Sequence, residues 1–345
     1  MDEAAEAALL GVDPTDLQAV RERFTEATYE GQIYRYLSSG FRGIERGTVR
    51  IEDTLVRGYP SIPRVLVLET GIPAYFEDRI AVEEKLDGFN VRIARVGEPY
   101  AFTRGGHICP YSTRMARELL DLDSFFEAHP EQMLCAEFIG PENPYTAHTY
   151  PDVDSVQPMI FDVRDRETGT PMPVDRRREI VDRHGLPQPE LFGLHSPADA
   201  VGAVKDTIED MEERGREGVV MQSVDGRDLL KYTTGYQHQQ DLAFAFSLPF
   251  DYGRDFLFSR LIREGFQAVE FEEDADAIRE RAHGLGEALL EPMVETIKAV
   301  KAQETVGERH TVRASPEAVQ ALIDHLQSQG ITIEIEADRT VDGDR

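Results

Sequence analysis

Residues 82–92, with the sequence VEEKLDGFNVR, constrain the fold more than any other part of the chain. The stretch begins with apolar residues, as a buried strand does, and places Lys85 two residues before Asp87-Gly88, a pair that favours turns. Glycine can adopt a positive φ and lets other groups approach the backbone closely. Apolar residues alternate after Gly88, which is typical of a strand. The stretch therefore predicts a β-hairpin in which Lys85 ends the first strand.

Lysine is scarce in this chain, and its scarcity draws attention to Lys85. Only five of the 37 basic residues are lysines, and the rest are arginines. A solvated lysine at a hairpin tip is the commoner explanation of an isolated K-x-D-G motif. A lysine can lose its proton and act as a nucleophile when its pKa is lowered, whereas an arginine cannot. The retention of lysine at position 85 therefore makes it a candidate nucleophile.

The net charge of the chain is strongly negative. Formal charge is −28, from 65 acidic against 37 basic residues, and the acids are spread along the whole length. Diffuse acidity with scarce lysine indicates a halophilic protein, although an ordinary acidic cytosolic protein is the alternative. At ~1 M salt the Debye length is only about 3 Å, so local arginines decide whether a polyanion binds. The charge therefore does not exclude a nucleic-acid partner.

Cysteine content and hydropathy indicate the compartment. Cys109 and Cys135 have no cysteine neighbour at metal-ligand spacing, so no zinc motif is predicted, and both are expected to be buried in a reducing environment. Residues 1–10 lack the basic and apolar pattern of a signal peptide. No stretch approaches the length of a membrane span. We therefore expect a cytoplasmic protein without a membrane partner.

The common nucleotide-binding motifs are missing from the sequence. A P-loop requires a Gly-Lys pair, and no lysine here follows a glycine. A dinucleotide-binding fold requires G-x-G-x-x-G, and Gly284-Leu-Gly286 lacks the third glycine and falls in a helical pattern. A nucleotide would therefore have to be bound in another way.

Hydrophobic periodicity predicts an α+β chain in four parts. The parts are an N-terminal α+β module at 1–66, a larger domain at 67–236, a helical domain at 237–308 and a small βαβ-like domain at 309–345. Strands are predicted at 32–37, 48–51, 54–57, 133–140, 158–163, 217–222, 228–232 and 331–336. Helices are predicted at 14–27, 111–126, 176–184, 197–214, 254–268, 276–301 and 316–329.

Charged residues recur at the ends of predicted apolar strands. Glu137 is a single acid inside one such strand, Glu217 begins another, and Lys231 ends a third. A buried charge is costly unless it is paired or bound to a metal. A structural ion pair explains any one of them, but their order along the chain after Lys85 is more specific.

This order resembles the motifs of the covalent nucleotidyltransferases, the superfamily of polynucleotide ligases and mRNA capping enzymes. The match covers residues 82–232, about half the chain. The matching segments are Lys85-Leu-Asp-Gly, Phe102-Thr-Arg104-Gly, Ala136-Glu137-Phe-Ile-Gly, Phe161-Asp-Val, Glu217-Gly-Val-Val and Leu230-Lys231-Tyr.

Within the superfamily the chain is similar to the homodimeric ATP-dependent RNA ligases of archaea. The resemblance implies a nucleotidyltransferase (ATP-grasp-like ligase) domain of antiparallel sheets and helices at 67–236, with a helical dimerisation domain at 237–308. Asn90 stands where the superfamily often has arginine, and Leu229 stands at the first lysine position of the fifth motif. No oligonucleotide-binding domain or R-x-D-K motif follows Lys231, which counts against a DNA ligase or a capping enzyme.

The resemblance implies three chemical steps. Lys85 attacks the α-phosphorus of ATP to give lysyl-AMP, AMP passes to an RNA 5′-phosphate, and a 3′-hydroxyl then displaces AMP and seals the strand. Joining within one RNA, which closes a circle, and joining between RNAs both remain open. A DNA ligase, a capping-type guanylyltransferase and a non-catalytic adenylate-sensing or RNA-binding scaffold are the alternatives.

The resemblance also implies roles for the site residues. Glu217 would bind Mg²⁺ or Mn²⁺, Glu137 and Arg104 would hold the ribose, and Phe161 would stack on adenine. The remaining expected nucleotide contacts are Glu84 to the adenine amine, Asn90 or Arg92 to the phosphates, and Lys231 to the α-phosphate.

Overall fold

The computed structural model describes residues 3–146, 148, 150, 153–247 and 253–340. Within these residues the chain forms twelve strands and eleven α-helices, and a short 3-10 helix at Pro14–Asp16. The strands are β1 (Phe24–Tyr29), β2 (Gln32–Leu37), β3 (Val49–Ile51), β4 (Thr54–Val56), β5 (Ile80–Lys85), β6 (Phe89–Val96), β7 (Glu98–Thr103), β8 (Gln132–Ile139), β9 (Gln157–Asp165), β10 (Leu191–His195), β11 (Gly218–Ser223) and β12 (Leu229–Thr233). The helices are α1 (Glu3–Leu10), α2 (Leu17–Arg21), α3 (Leu68–Tyr75), α4 (Pro110–Leu119), α5 (Leu122–Ala128), α6 (Val174–Arg183), α7 (Pro197–Glu213), α8 (Gly235–Ser247), α9 (Arg254–Glu270), α10 (Ala275–Lys301) and α11 (Pro316–Ser328).

The chain divides into two compact units, each built from separate segments. The first unit contains Met1–Ser61, Gly88–Pro189 and His310–Arg345, and the second contains Ile62–Asp87 and Glu190–Arg309. The boundary between two of these segments falls inside the K-L-D-G motif, between Asp87 and Gly88. The four-part division predicted from the sequence stays a prediction.

The first unit holds two four-stranded antiparallel sheets. One has the order β1-β2-β3-β4 and the other the order β7-β6-β8-β9. The main apolar core of the unit joins the second sheet to helices α4, α5, α6 and α11, and contains the fully buried Phe125 and Phe126 of α5. Helix α4 begins at a proline, and Cys109 Sγ accepts a hydrogen bond from the Ser112 amide at this end. Burial of apolar strand residues in this core favours one register of the strands.

The second unit holds one antiparallel sheet of order β10-β5-β11-β12. Helix α7 covers this sheet with four buried residues at helical spacing: Ala200, Val204, Ile208 and Met211. The helix begins after Ser196, whose side chain accepts a hydrogen bond from the Asp199 amide, as an N-cap serine does. Helix α3 adds Leu68 and Ile72 to the same core. Strands β5, β11 and β12 are thus supported by an apolar core that helices α3 and α7 cover.

The predicted α+β class with antiparallel sheets is confirmed, but the predicted hairpin at Lys85 is wrong. Strand β5 lies between β10 and β11 in the second unit, whereas β6 lies between β7 and β8 in the first. Both strands have partners on each side, so each strand's backbone groups bond within its own sheet. The alternating pattern after Gly88 identified a strand correctly but could not identify its partner.

Two predicted helices end earlier than expected. The helix predicted at 14–27 ends at Arg21, and β1 begins at Phe24 because its aromatic and β-branched residues pair with β2 along their full length. The helix predicted at 111–126 breaks after Leu119, and Asp121 caps a new helix by accepting a hydrogen bond from the Ser124 amide.

The C-terminal segment also differs from its prediction. The predicted helix is present as α11, but residues 309–315 and 331–340 of the described chain form no strand. Ile331 and Ile335 are about half exposed, at 50% and 53%. These side chains are therefore not enclosed in an apolar core.

Helix α10 continues as one helix through Pro292. In the part of the chain that the structure describes, no helix has the length and apolarity that crossing a bilayer requires.

Candidate functional site

The two charged residues best supported by the sequence meet at one edge of the second unit's sheet. Lys85 is the last residue of β5, and Glu217 directly precedes β11. The register pairs Lys85 with Gly218, which brings Glu217 beside the lysine. Lys85 Nζ donates a hydrogen bond to Glu217 Oε2 at 2.7 Å, and the two side chains are 20% and 11% exposed. The pair fixes a primary amine at a strand end, largely shielded from water.

A second ion pair involves the residues that precede this first pair in sequence. Arg216 Nη1 lies 3.5 Å from Glu84 Oε1, and both side chains are nearly buried. Side chains alternate along an extended strand, which directs Glu84 and Lys85 to opposite faces of the sheet. The predicted contact of Glu84 with the adenine amine stays a prediction.

Lys231 lies on β12, two strands away from Lys85. It pairs with Val220 of β11, and its side chain is half-buried. Its backbone amide donates to Pro63 O at 3.0 Å, and its carbonyl accepts from the Val65 amide at 3.1 Å. These bonds hold the segment around Arg64 against the strand that carries Lys231.

Gly88 allows the close approach of backbone that the sequence predicted. A Cβ atom at this position would lie 2.4 Å from Phe138 O and 2.9 Å from a methyl group of Ile139. Real Cβ atoms do not approach a carbonyl oxygen so closely, so any side chain here would displace strand β8. The glycine of the K-L-D-G motif is therefore a packing requirement at the start of β6.

Asn90 and Glu137 form a cross-strand pair in the first unit. They are directly opposite on β6 and β8, and Asn90 Nδ2 donates to Glu137 Oε2 at 3.3 Å. Asn90 Oδ1 is buried and has no hydrogen-bond partner among the described residues. A buried acceptor without a donor costs free energy. The pair therefore offers an unused polar atom to a ligand.

Arg92 has a different environment from the one expected of a phosphate-binding residue. It is fully buried, and its guanidinium donates to the carbonyl oxygens of Gly47 at 2.8 Å, Thr103 at 2.9 Å and Arg57. Burial lowers the pKa of Arg92. Of the two predicted phosphate contacts, the geometry favours Asn90 over Arg92.

Arg104 is exposed at the start of the loop that follows β7. Its Nη2 donates to Ser61 Oγ at 3.2 Å, and the structure records no ion pair for it among the described residues. An exposed guanidinium with one weak protein contact can turn toward a ligand. The predicted contact of Arg104 with the ribose stays a prediction.

Phe161 rests on a buried polar and aromatic support. Its ring packs edge-to-face against Tyr59, with centroids 5.2 Å apart. The Tyr59 hydroxyl donates to Asp162 Oδ2 at 3.2 Å, and Asp162 accepts from Arg164 Nε at 2.6 Å. Burial raises the pKa of Tyr59 well above its usual value, so the hydroxyl stays protonated. This support holds the Phe161 ring in one orientation.

The predicted site residues thus fall into two groups. The second unit carries Glu84, Lys85, Glu217 and Lys231, and the first unit carries Asn90, Arg92, Arg104, Glu137 and Phe161. Direct side-chain contacts within the groups join Lys85 to Glu217 and Asn90 to Glu137.

The carboxylates fit a divalent cation only if the substrate supplies most of its ligands. Among the described residues, no cluster of three or more His, Cys, Asp or Glu side chains could hold a metal ion. Glu217 offers one carboxylate beside Lys85. Mg²⁺ usually keeps several waters and is bound by one or two carboxylates together with substrate phosphates. The donor set is compatible with such a site.

Sequence reasoning missed several residues close to these groups. Arg216 directly precedes Glu217, and this Arg-Glu pair facing the Glu84-Lys85 pair was a usable signal. Asp87 of the motif accepts a hydrogen bond from Gln237 Nε2 at 3.3 Å, which only the folded chain reveals. Arg64 and Arg263 are 199 residues apart in sequence and nevertheless line one cavity.

Two family models match the chain. The model described as RNA ligase matches residues 78–233, and the model described as the C-terminal region of ligase Pab1020 matches residues 244–345. An uncharacterized protein of Methanocaldococcus jannaschii is 39% identical over 312 residues, which cover 88% of this chain and 79% of that protein.

Solved structures give the same result. Two forms of an archaeal ATP-dependent RNA ligase are 40% and 41% identical to this chain, each with a TM-score of 0.93, and the alignments cover 100% of this chain and 94% of theirs. A putative ATP-dependent DNA ligase from Aquifex aeolicus is 28% identical, with a TM-score of 0.85, over 92% of this chain and 88% of its own.

The fold is that of nucleotidyltransferase-type ligases. At this identity and coverage, the chain belongs to the family of archaeal ATP-dependent RNA ligases.

Proposed function

We propose that this chain is an ATP-dependent RNA ligase that forms lysyl-AMP on Lys85 and joins an RNA 5′-phosphate to a 3′-hydroxyl. The observation that carries the proposal is the Lys85–Glu217 pair, a primary amine held at a strand end 2.7 Å from a carboxylate. Membership of the archaeal ATP-dependent RNA ligase family supports the choice of ATP and of RNA.

The first step transfers AMP to the protein. The Lys85 amine loses its proton to water and attacks the α-phosphorus of ATP. A nitrogen–phosphorus bond forms as the bond from the α-phosphorus to the bridging oxygen breaks, and the electron pair leaves with pyrophosphate. Such displacements require an in-line arrangement and neutralised charge. Lys231 supplies a positive charge on the same sheet.

The second and third steps use the adenylate. An oxygen of the RNA 5′-phosphate attacks the lysyl-AMP phosphorus, which breaks the nitrogen–phosphorus bond and returns the amine to Lys85. A 3′-hydroxyl then attacks the RNA 5′-phosphorus, loses its proton, and expels AMP as the phosphodiester forms. When both ends belong to one RNA, the product is a circle.

The remaining residues bind and orient the adenylate. Asn90, through its unpartnered Oδ1, and Glu137 provide polar contacts, and Phe161 on its Tyr59 support provides a rigid ring for adenine. Arg104 is free to contact the ribose, and Glu84 is assigned to the adenine amine. A Mg²⁺ or Mn²⁺ ion held by Glu217 and the ATP phosphates would neutralise charge on the phosphates.

A ligation assay tests the proposal directly. The wild-type protein is incubated with ATP, a divalent cation and a single-stranded RNA that carries a 5′-phosphate and a 3′-hydroxyl. We expect circular or joined product, identified by its resistance to exonuclease. RNAs of the same sequence with a 5′-hydroxyl or with a 3′-phosphate serve as controls and should not be joined. Joining of either control would contradict the proposed chemistry.

A DNA ligase is the second candidate, because the Aquifex aeolicus structure carries that description at 28% identity. The same assay with nicked duplex DNA separates the two. Sealing of the DNA nick at a rate above that of RNA joining would favour the second candidate.

A further inference from the structure

The second unit contains a cavity that none of the roles above uses. It is partly open to solvent, and its empty space of about 200 Å³ includes solvent at its mouth. Arg64 lines one side, and Arg263 and Phe266 of helix α9 line another. Thr233 and His238 complete the wall next to strand β12.

The two arginines of the cavity lack acidic partners. Among the described residues neither Arg64 nor Arg263 forms an ion pair, and Arg64 Nη1 is buried without any hydrogen-bond partner. The recorded side-chain contact of Arg263 is a donation to Ser259 Oγ at 3.1 Å. One turn earlier on the same helix, Arg260 pairs with Asp241 at 2.8 Å. This contrast indicates that Arg64 and Arg263 are available to bind an anion from outside the chain.

Electrostatics supports this reading of the cavity. Burial and the neighbouring Arg64 and Arg260 lower the pKa of Arg263 to about 9. Burial and Arg260 also lower the pKa of Arg64. The positive charges of Arg64, Arg260 and Arg263 thus repel one another, although the chain as a whole has 65 acidic residues against 37 basic ones. An anionic ligand would remove this repulsion.

Glu264, an acid next to Arg263 in sequence, is already occupied by other partners. Glu264 accepts from His238 Nδ1 at 2.9 Å and pairs with Arg281 at 2.5 Å. The other ring nitrogen of His238 meets Thr233 Oγ1 at 2.8 Å, and burial lowers the pKa of His238. The histidine is therefore neutral near pH 7, and it forms a fixed wall that neither neutralises nor adds to the arginine charge.

The cavity lies near the proposed nucleophile within the same sheet. Thr233 pairs with Gly218, and Gly218 pairs with Lys85 on its other side. Two strand spacings of ~4.8 Å put Thr233 about 10 Å from Lys85 across the sheet. Arg64 forms a bridge with Lys231, which is assigned to the α-phosphate. A group attached to that phosphate is within reach of the cavity.

We propose that Arg64 and Arg263 bind the β- and γ-phosphates of ATP and then the pyrophosphate that leaves when Lys85 attacks; the inference rests on the proposed function. The departing bridging oxygen gains the electron pair of the broken bond, and the two guanidinium groups stabilise this charge. Two planar guanidiniums match two adjacent phosphates, because each can bind phosphate oxygens in a bidentate way. A single RNA phosphodiester carries only one charge.

Four assays on Arg64→Ala and Arg263→Ala test the assignment. They measure adenylation from ATP, the pyrophosphate-driven removal of AMP from isolated protein–AMP, adenylation from adenosine 5′-phosphorimidazolide, and sealing of pre-adenylated RNA. The phosphorimidazolide has no β- or γ-phosphate. The control is Arg279→Ala, an exposed arginine on helix α10 whose partner is Asp276. Thermal melts report whether each variant folds.

We expect both variants to lose about 10- to 100-fold in kcat/KM for ATP and in the pyrophosphate reaction, the range of a lost charge-assisted contact. Their rates with the phosphorimidazolide and with pre-adenylated RNA should stay within about twofold of wild type. Equal losses with both adenylate donors would overturn the assignment. A loss confined to pre-adenylated RNA would assign the cavity to an RNA phosphate instead.

A binding measurement on the wild type keeps the test independent of folding defects and of ligase activity. Titration of pyrophosphate into the unmodified protein should give saturable binding by calorimetry and raise its melting temperature. A protein that binds pyrophosphate but fails to join RNA would contradict the proposed function and not the cavity assignment. Absence of pyrophosphate binding would contradict the cavity assignment.

Discussion

Arg92 is a buried side chain that binds backbone carbonyls inside the first unit. Its guanidinium holds the carbonyls of three separate segments, at Gly47, Arg57 and Thr103. The resemblance to the ligase family had suggested a phosphate contact for this arginine or for Asn90. The sequence could not reveal its burial, because the three acceptors come from a turn before β3, a loop after β4 and the end of the neighbouring strand β7.

At the residue scale we predict that Arg92→Met destabilises the fold. The buried carbonyls of Arg57 and Gly47 would lose this donor, whereas Thr103 O would keep its bond from the Gly106 amide. Each unsatisfied buried polar group costs at least about 1 kcal/mol, so the free energy of unfolding, measured by denaturant titration, should fall by about 2 kcal/mol or more. Arg35→Met is the control, because the Arg35 side chain is 59% exposed and lies on strand β2 of the β1-β2-β3-β4 sheet. A loss below about 1 kcal/mol for Arg92→Met would contradict the architectural role.

Other residues of the site were accessible from the sequence. Lys85 and Glu217 are separated by 132 residues, yet motif order predicted their shared site, and the structure pairs them at 2.7 Å. Each ends or begins an apolar strand, where a charge needs a partner. Arg64 and Arg263 escaped notice because an isolated arginine in an arginine-rich chain carries no signal.

Elements were predicted more reliably than their pairing. The spacing of Ala200, Val204 and Ile208 identifies the buried face of α7, and the ranges of β2, β11 and β12 follow apolar alternation closely. The hairpin at Lys85 failed because local pattern specifies an extended conformation and not the partner strand. One of the two partners of β5, strand β11, lies more than 130 residues away.

At the element scale, we expect the packing of helix α11 to become less stable as the pH falls. His325 of α11 lies next to His107, with ring centroids 5.9 Å apart, and the ring of His107 packs against that of Tyr36. Burial lowers the pKa of both histidines, with a further contribution to His107 from Arg46 and to His325 from His107. The unfolded chain therefore binds more protons than the folded chain below pH ~6.5, the unfolded value for histidine.

Stability contributed by this pair is complete above about pH 6.5 and declines as pH falls toward the lowered folded-state values. We expect the melting temperature of wild type to fall between pH 7.5 and 5.5 by more than that of His325→Asn. The control, His283→Asn, replaces a histidine whose side chain is 77% exposed and should keep the wild-type pH dependence. An identical pH dependence in wild type and His325→Asn would refute the prediction.

At the scale of the whole molecule, helix α10 carries several large apolar side chains that are exposed in this single chain. No residue of α10 is buried, and Ile278, Leu290, Ile297 and Val300 are 49%, 62%, 57% and 61% exposed. An apolar helix face normally packs against another element. We propose that it forms a two-fold interface with a second copy, the commonest symmetry of soluble oligomers.

Light scattering tests this dimer. We expect a mass of twice the 38.9 kDa of one chain at micromolar concentration. The double variant Leu290→Glu with Ile297→Glu should shift the mass to that of one chain. Val269→Glu, which changes an exposed apolar residue of α9, is the control and should remain dimeric. A single-chain mass for the wild type would contradict the interface.

The net charge of −28 also belongs to the whole molecule. At ~0.01 M salt the Debye length is about 30 Å, so acidic surfaces repel one another and repel RNA. At ~1 M only contact pairs remain, although salt also weakens each arginine–phosphate contact. We therefore predict that the ligation rate rises with KCl to a maximum well above physiological strength and then declines. A steady fall from low salt with an unchanged thermal melt would contradict a halophilic adaptation.

The central claim is that Lys85 carries AMP during catalysis. The protein is incubated with α-labelled ATP and a divalent cation, denatured, and digested for mass spectrometry. We predict a label that survives denaturation and a mass increase of one AMP on the peptide that contains Lys85. Lys85→Arg keeps the charge but cannot deprotonate, so it should carry no label. AMP found on another residue, or a labelled Lys85→Arg protein, would contradict the account.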